Sequence, residues 1–201
     1  MRRLKIIGIG GLARSGKDTL AELLVESGYF GVSLGDIVRD AARKRHANKP
    51  DPISVANMTE TANWMRQTKG ADFALVEALE QFKKVNHTAD YRGLLVYSVR
   101  APAEADFILN HGGELIWVDA KDQIRYKRDM ESRRQGEAEV SFHEFKRQED
   151  LQWQPQPGIP PEAQMNVEYV KSKATKLLEN DGNDLEAFKN TASKVLASYL
   201  N

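Results

Sequence analysis

Apolar residues are concentrated in five short runs along the chain, and amphipathic stretches separate these runs. The runs cover about residues 4–10, 28–34, 93–98, 114–118 and 174–179, and their length and composition predict buried strands. The stretches between them carry apolar residues at helical spacing. Because strands that alternate with helices are typical of a parallel sheet covered on both faces, the pattern predicts an α/β fold with about five parallel strands.

The predicted helices divide the chain further. They cover approximately residues 17–26, 36–46, 54–68, 72–85, 102–111, 122–135, 141–152 and 184–200, the last with Asp184 as its N-cap. Residues 153–166 hold four prolines and are predicted as a loop. The helices between about 36 and 85 are too many for one crossover, so we interpret them as an inserted helical lobe. We interpret residues 1–201 as one domain.

A phosphate-binding loop of the pattern G-x-x-x-x-G-K joins the first strand to the first helix. It reads Gly10-Gly11-Leu12-Ala13-Arg14-Ser15-Gly16-Lys17-Asp18-Thr19. Gly11 and Gly16 allow the backbone to curl so that successive N–H groups point at phosphate oxygens. The positive end of the helix dipole adds to this, and Lys17 reaches the β- and γ-phosphates. The motif therefore predicts a nucleoside triphosphate site at residues 11–19.

Asp18 stands where the motif usually has Ser or Thr, whose hydroxyl binds Mg²⁺. Thr19 does not replace that hydroxyl, because neighbouring residues of a helix point about 100° apart. A carboxylate is a good ligand for Mg²⁺, directly or through water, so Asp18 is predicted as the metal ligand.

Composition narrows the classes of partner. The formal net charge of the chain is zero, so no bulk positive field indicates nucleic acid. There is no cysteine, which excludes disulfides and thiolate catalysis and fits an intracellular protein. No apolar run approaches the ~20 residues of a membrane span, and the scattered histidines predict no metal site. We expect a cytoplasmic protein, a monomer or homodimer, that binds neither nucleic acid nor a membrane.

Arginine positions are informative because phosphoryl transfer requires positive charge around the moving group. Arg39 lies one turn beyond Asp36 on the helix after the second strand, and Arg66 lies inside the helical lobe. Arg100 lies two residues past the third strand, and strand ends face the site in this architecture. A guanidinium binds phosphate through a planar fork. The alternative for each of them is a solvated helix face or a surface ion pair.

The helix after the fourth strand is rich in arginine. Arg125 and Arg128 share one face of it, and Arg133 follows about two turns later. This segment is interpreted as part of a lid over about residues 121–150, with a charged amphipathic helix as the alternative.

Six segments in this order carry a family resemblance: GLARSGKDT, SLGDIVR, NMTETANWMR, VYSVRAPAEA, RYKRDMESRR and LLENDG. With them the whole chain resembles P-loop nucleoside monophosphate kinase-like proteins, in a branch related to dephospho-CoA kinases. The variant RSGKDT also resembles phage deoxynucleotide monophosphate kinases. The resemblance implies a P-loop kinase-like fold, ATP and Mg²⁺ as cofactors, and phosphoryl transfer to a small-molecule acceptor, a nucleoside monophosphate or a similar phosphorylated metabolite.

Site residues follow from the same resemblance. Those implied to face the acceptor are Asp36, Arg39, Arg66 and Arg100. Those implied to act in catalysis with Lys17 and Arg100 are Arg125, Arg128 and Arg133, which would close over the phosphates. Asn180, Asp181 and Gly182 are implied to lie beside the base of the donor.

One departure leaves alternatives open. Relatives often have Asp at the end of the third strand, where this chain has Tyr97 or Ser98. Mg²⁺ then depends on Asp18 and on water held by Asp36 or Asp119. A dephospho-CoA kinase is one alternative, and a nucleotide-binding regulatory ATPase or switch without an acceptor is another.

Overall fold

The computed structural model describes residues 4–86, 89–132, 140–160 and 163–200. Five strands alternate with helices along these parts of the chain. The elements are β1 (Ile6–Gly10), α1 (Lys17–Glu26), β2 (Phe30–Ser33), α2 (Leu34–Arg45), α3 (Val55–Lys69), α4 (Phe73–Val85), β3 (Leu94–Val99), α5 (Pro102–Asn110), β4 (Glu114–Asp119), α6 (Asp122–Glu131), α7 (Phe142–Trp153), α8 (Val167–Ser172), β5 (Lys176–Glu179), α9 (Leu185–Val195) and α10 (Ala197–Leu200).

The strands form one parallel sheet in the order β2-β3-β1-β4-β5, which confirms the predicted fold class. Alternate residues of each strand pack on opposite faces. Ile6 and Val96 lie in the core beneath α2–α5 and α8, whereas Ile7 and Leu95 pack against α1 and α9. Burial of each such side chain contributes about 1.5–3 kcal/mol. Because β1 lies in the middle of the sheet, its carboxyl end presents the phosphate-binding loop at the middle of that edge of the sheet.

A bulge in β3 changes the register beside that loop. Ile9 pairs with Tyr97 and Gly10 pairs with Val99, so Ser98 is an extra residue in the strand. Ser98 is buried and has a φ of 66°, a conformation that L residues other than Asn and Asp rarely adopt. The bulge turns the strand just before Arg100.

The observed boundaries differ from the predicted ones where side chains cap helices. Helix α2 begins at Leu34 rather than Asp36, because the Ser33 hydroxyl accepts a hydrogen bond from the Asp36 amide. The predicted N-cap at Asp184 is confirmed, since its carboxylate accepts from Glu186 and Ala187. The closing helix is divided at Leu196 into α9 and α10, and the short helix α8 was not predicted.

Across the parts of the chain that the structure describes, every helix is too short or too polar to cross a lipid bilayer.

Candidate functional site

The phosphate-binding loop has the backbone that its glycines require. Gly16 is the N-cap of α1 with a φ of 102°, a value that residues with a Cβ rarely adopt. A Cβ there would also run into the side-chain amide of Asn180. At Gly11 a Cβ would lie 2.7 Å from both Ser15 Oγ and the carbonyl oxygen of Val118. The close packing around both positions leaves room only for glycine, as the motif predicts.

Two polar groups in the loop fit a phosphate ligand. Lys17 is buried, with 6% of its surface exposed, and its Nζ lies 3.2 Å from Asp18 Oδ2. Burial lowers the pKa of the Lys17 ammonium, while Asp18 opposes that change. The buried Ser15 Oγ has no hydrogen-bond partner among the described residues. Because buried polar atoms are normally paired, this cradle fits the oxygens of a bound phosphate.

The loop is held from its outer side by the segment after β5. Asn180 Nδ2 donates to the carbonyl oxygen of Ser15 at 2.8 Å. Arg128 donates to the carbonyl oxygen of Arg14 at 3.1 Å and to that of Asn180 at 2.8 Å, and it also contacts the carbonyl oxygen of Gly182. Asp181 accepts from the Lys121 amide at 2.8 Å. Asn180, Gly182 and Arg128 therefore support the loop, and a place for the donor base beside residues 180–182 stays a prediction.

Arg125 and Arg128, which were expected to close over the phosphates, are both hydrogen-bonded to other groups of the protein. Arg125 is 1% exposed, and its guanidinium binds both carboxylate oxygens of Glu149, with one contact at 2.9 Å. It also donates to Asp122 at 2.7 Å and to the carbonyl oxygen of Ala120 at 2.9 Å. A buried cation requires such pairing. Arg125 therefore joins α6 to α7, and Arg128 is bound to main-chain oxygens of the loop; a role for either in closing over the phosphates stays a prediction. Arg133 lies outside the described residues.

A cleft of about 1000 Å³ opens beside the phosphate-binding loop. Residues of α1, α2, α3, β3, α5 and α7 line it. The predicted site residues on its wall are Ala13, Lys17, Asp18, Asp36, Arg39, Arg66 and Arg100. The structure thus brings the acceptor-side candidates together with the lysine of the loop. Of the other loop residues, Leu12 packs on the core and Thr19 is half-buried on α1.

Arg66 and Glu104 are both buried in this cleft, with 3% of each side chain exposed. Their closest atoms, Arg66 Nη2 and Glu104 Oε1, are 3.9 Å apart, which is too long for a hydrogen bond. Arg66 Nε has no hydrogen-bond partner among the described residues. Burial lowers the pKa of the Arg66 guanidinium, and Glu104 opposes this. The guanidinium therefore carries unused donors inside a cleft.

Arg100 lies next to Arg66 and Glu104, and its guanidinium makes a shorter hydrogen bond than that of Arg66 does. Its Nη1 donates to Gln152 Oε1 at 2.8 Å, and its backbone amide donates to Glu104 Oε2 at 2.9 Å. Burial lowers the pKa of the Arg100 guanidinium, with Glu104 opposing and Arg66 adding to the effect. Arginine remains protonated despite such shifts. Two cations thus share one partly paired carboxylate, and an anion would complete the cluster. Arg39, by contrast, is ion-paired with Asp36 near the mouth of the cleft.

Several cleft residues were not predicted from the sequence. Glu104 accepts hydrogen bonds from the amides of Arg100 and Ala101. It is the third residue of α5 and binds the N-cap amide as the glutamate of a capping box does. A glutamate two residues after the proline that begins the helix was the signal in the sequence. Gln148, Glu149 and Gln152 reach the cleft from α7. No local pattern identifies them, because they lie 48 to 52 residues after Arg100 in the chain.

A divalent cation has one well-placed carboxylate here. Asp18 is 65% exposed at the cleft next to Lys17. Among the described residues, His, Asp and Glu form no group of three that could hold a metal ion. Asp119 is paired with Lys171 Nζ at 2.6 Å and lines a different cavity. Burial, with Asp18 and Glu22, raises the pKa of the Tyr97 phenol, which supplies no negative charge in place of the missing Asp. This donor set fits Mg²⁺ that is held mainly by phosphates and water.

The sequence and the fold of this chain are similar to those of known proteins. Residues 7–152 match the family described as AAA domain. A UPF0200 protein of Pyrobaculum aerophilum is 26% identical over 195 residues, which cover 96% of this chain and 97% of that protein. A dephospho-CoA kinase from Campylobacter jejuni has a TM-score of 0.50 at 14% identity and covers 98% of both chains. A shikimate kinase from Bacteroides thetaiotaomicron has a TM-score of 0.54 at 12% identity, over 96% of this chain and 97% of that one. The fold is that of the P-loop kinases, as the resemblance implied.

Proposed function

The chain belongs to the AAA domain family, and on that premise we propose that it transfers the γ-phosphate of ATP, with Mg²⁺, to a small phosphorylated metabolite. Nucleoside monophosphates are the first acceptors to test, and dephospho-CoA is the second. The observation that carries this proposal is the buried guanidinium of Arg66, whose Nε is unpartnered among the described residues and which shares a cleft with Lys17 and Arg100.

The charge and the hydrogen bonding of the cleft favour an anionic acceptor. A buried cation without full hydrogen bonding is destabilising, and a bound anion offsets this cost. A phosphate monoester offers three terminal oxygens, which suits two neighbouring guanidinium groups better than a single carboxylate does. Because Lys17 lines the same cleft, an acceptor held by Arg66 and Arg100 would stand beside the phosphates of the donor.

The residues of this chain then have separate tasks. The loop amides and Lys17 hold the β- and γ-phosphates of the donor. Arg66 and Arg100 hold and orient the phosphate of the acceptor and stabilise charge near the moving group. Asp18 holds the metal directly or through water, and the metal, when bound, neutralises charge on the phosphates.

The test is turnover with defined acceptors. ATP·Mg²⁺ is incubated with each nucleoside monophosphate and with dephospho-CoA, and both ADP and the phosphorylated product are quantified. We expect one acceptor to yield equal amounts of both, and the Lys17→Ala variant, folded by circular dichroism, to yield neither. ADP formation that no acceptor stimulates, without any phosphorylated acceptor, would instead favour a regulatory ATPase.

A further inference from the structure

Helix α7 contacts Arg100, one of the two buried arginines of the cleft, through the side chain of Gln152. Its Oε1 accepts the hydrogen bond from Arg100 Nη1 at 2.8 Å. Its Nε2 donates to the carbonyl oxygen of Gln148, one turn earlier in α7, at 3.3 Å. The amide is therefore held at both ends, and it is half-buried on the wall of the cleft.

The helix that carries Gln152 is itself fixed. Glu149 lies one turn before Gln152 on α7 and is buried. Its carboxylate accepts hydrogen bonds from the guanidinium of Arg125 on α6. Lys146 adds ion pairs to Asp122 at 2.7 Å and to Glu149 at 3.5 Å. Helices α6 and α7 thus form one packed unit, and Gln152 is its contact with Arg100.

We propose that Gln152 is a positioning residue, which fixes the guanidinium of Arg100 in the orientation that binds the acceptor. This inference rests on the proposed function for the identity of the ligand, but the fixation of Arg100 is a property of the protein alone. A guanidinium on a long flexible stem loses less entropy on binding when a fixed acceptor already holds it. Gln152 is suited to this task because an amide oxygen orients the guanidinium without neutralising its charge.

The main test compares Gln152→Met with wild type. Methionine keeps the length and the apolar stem of the side chain and removes the two hydrogen bonds of the amide, to Arg100 and to Gln148. With ATP·Mg²⁺ saturating and AMP, or whichever nucleoside monophosphate is turned over, as the probe, KM for the acceptor should rise about tenfold with little change in kcat. In an Arg100→Lys background the same substitution should change KM by less than about twofold, since the residue on which it acts is gone. Gln154→Met, at the exposed C-cap of α7, is the matched control.

A second measurement needs no acceptor. In protein labelled with ¹⁵N-arginine, the Nη signals of Arg100 report rotation about the Nε–Cζ bond. Rotation should be slow in wild type and Gln154→Met, and fast in Gln152→Met. Gln152→Glu restores a hydrogen-bond acceptor, so rotation should be slow again, but KM should stay raised because the carboxylate neutralises Arg100.

The results of these experiments test the role of Gln152 separately from the proposed phosphoryl transfer. Unchanged rotation in Gln152→Met, or an unchanged acceptor KM in an active enzyme, overturns the role of Gln152. If no phosphorylated acceptor is turned over by wild type, the proposed function fails, while the rotation measurement still decides whether Gln152 fixes Arg100. Unfolding temperatures of all variants within a few degrees of wild type would exclude a merely structural effect.

Discussion

Asn180 donates its side-chain amide to the carbonyl oxygen of Ser15 at 2.8 Å, although the two residues are 165 positions apart. The bond ties the end of the last strand to the middle of the phosphate-binding loop. Asn180 is buried, and its backbone oxygen also receives Arg128. The shape of the loop therefore depends on the C-terminal part of the chain.

Asn180→Ala is expected to weaken triphosphate binding about tenfold, because the Ser15 carbonyl loses its partner and the loop amides lose part of their preorganisation. Calorimetric titration with a non-hydrolysable ATP analogue measures this. Asn190→Ala, on the exposed face of α9, is the control and should bind as wild type does. Equal affinity of the Asn180 variant would mean that the loop holds its shape unaided.

Asp18→Asn is expected to raise the Mg²⁺ concentration needed for half-maximal activity, since the amide keeps the shape of the side chain but not its charge. The measurement is activity against Mg²⁺ at fixed ATP. Glu22→Gln, one turn further along α1, removes a neighbouring exposed carboxylate and should shift the curve less. An unchanged Mg²⁺ titration in Asp18→Asn would leave Asp18 as a helix-start residue that interacts with the dipole.

Arg100→Ala is expected to raise KM for the acceptor ten- to a hundredfold, or to lower kcat, because a charge-assisted hydrogen bond to phosphate contributes about 1.5–3 kcal/mol. Binding of ATP should change little. Steady-state kinetics with each substrate varied in turn distinguishes these effects. Weakened ATP binding with an unaffected acceptor KM would move Arg100 to the donor side.

Arg66→Met is expected to separate stability from function. The buried guanidinium of Arg66 makes one long hydrogen bond, from Nη1 to Asn63 Oδ1 at 3.5 Å, and its Nε has no partner among the described residues, whereas Glu104 accepts from the amides of Arg100 and Ala101. Replacing the cation by an apolar side chain of similar length should change the free energy of unfolding by no more than about 1 kcal/mol while KM for the acceptor increases, because removal of the desolvation cost of the cation offsets the loss of its attraction to Glu104. Urea unfolding and kinetics together check this. A large loss of stability would show that Arg66 and Glu104 form an effective ion pair.

Ser98→Val is expected to destabilise the protein by about 1–3 kcal/mol, because a β-branched residue is strongly disfavoured at the positive φ of the bulge. Ser98→Gly, which adopts that conformation freely, should change stability by less than about 1 kcal/mol. Chemical denaturation of the two variants measures the difference. Equal stability of both would imply that the strand relaxes to a regular register.

How much the sequence predicts depends on how far apart the interacting residues are. The phosphate-binding loop was predicted residue by residue, because strand, turn and helix are contiguous and each glycine meets a local backbone requirement. The parallel sheet followed from the alternation of apolar runs and amphipathic stretches. The N-cap at Asp184 has the same local origin, since its carboxylate reaches amides only two and three positions away.

The surroundings of the arginines depend on residues that are distant in the chain. Arg100 and Arg125 both follow strands of the sheet, and the family resemblance implied a role at the phosphates for both. In the folded chain Arg125 donates to Glu149, and Arg100 donates to Gln152. The guanidinium of Arg125 is therefore buried in an ion pair, whereas Arg100 lines the cleft. The sequence alone determined the strand–loop–helix and the type of sheet, because short-range sterics and periodicity suffice for them. Only the tertiary structure decided which cations remain available to a ligand, because burial and pairing depend on residues that the chain brings together from distant positions.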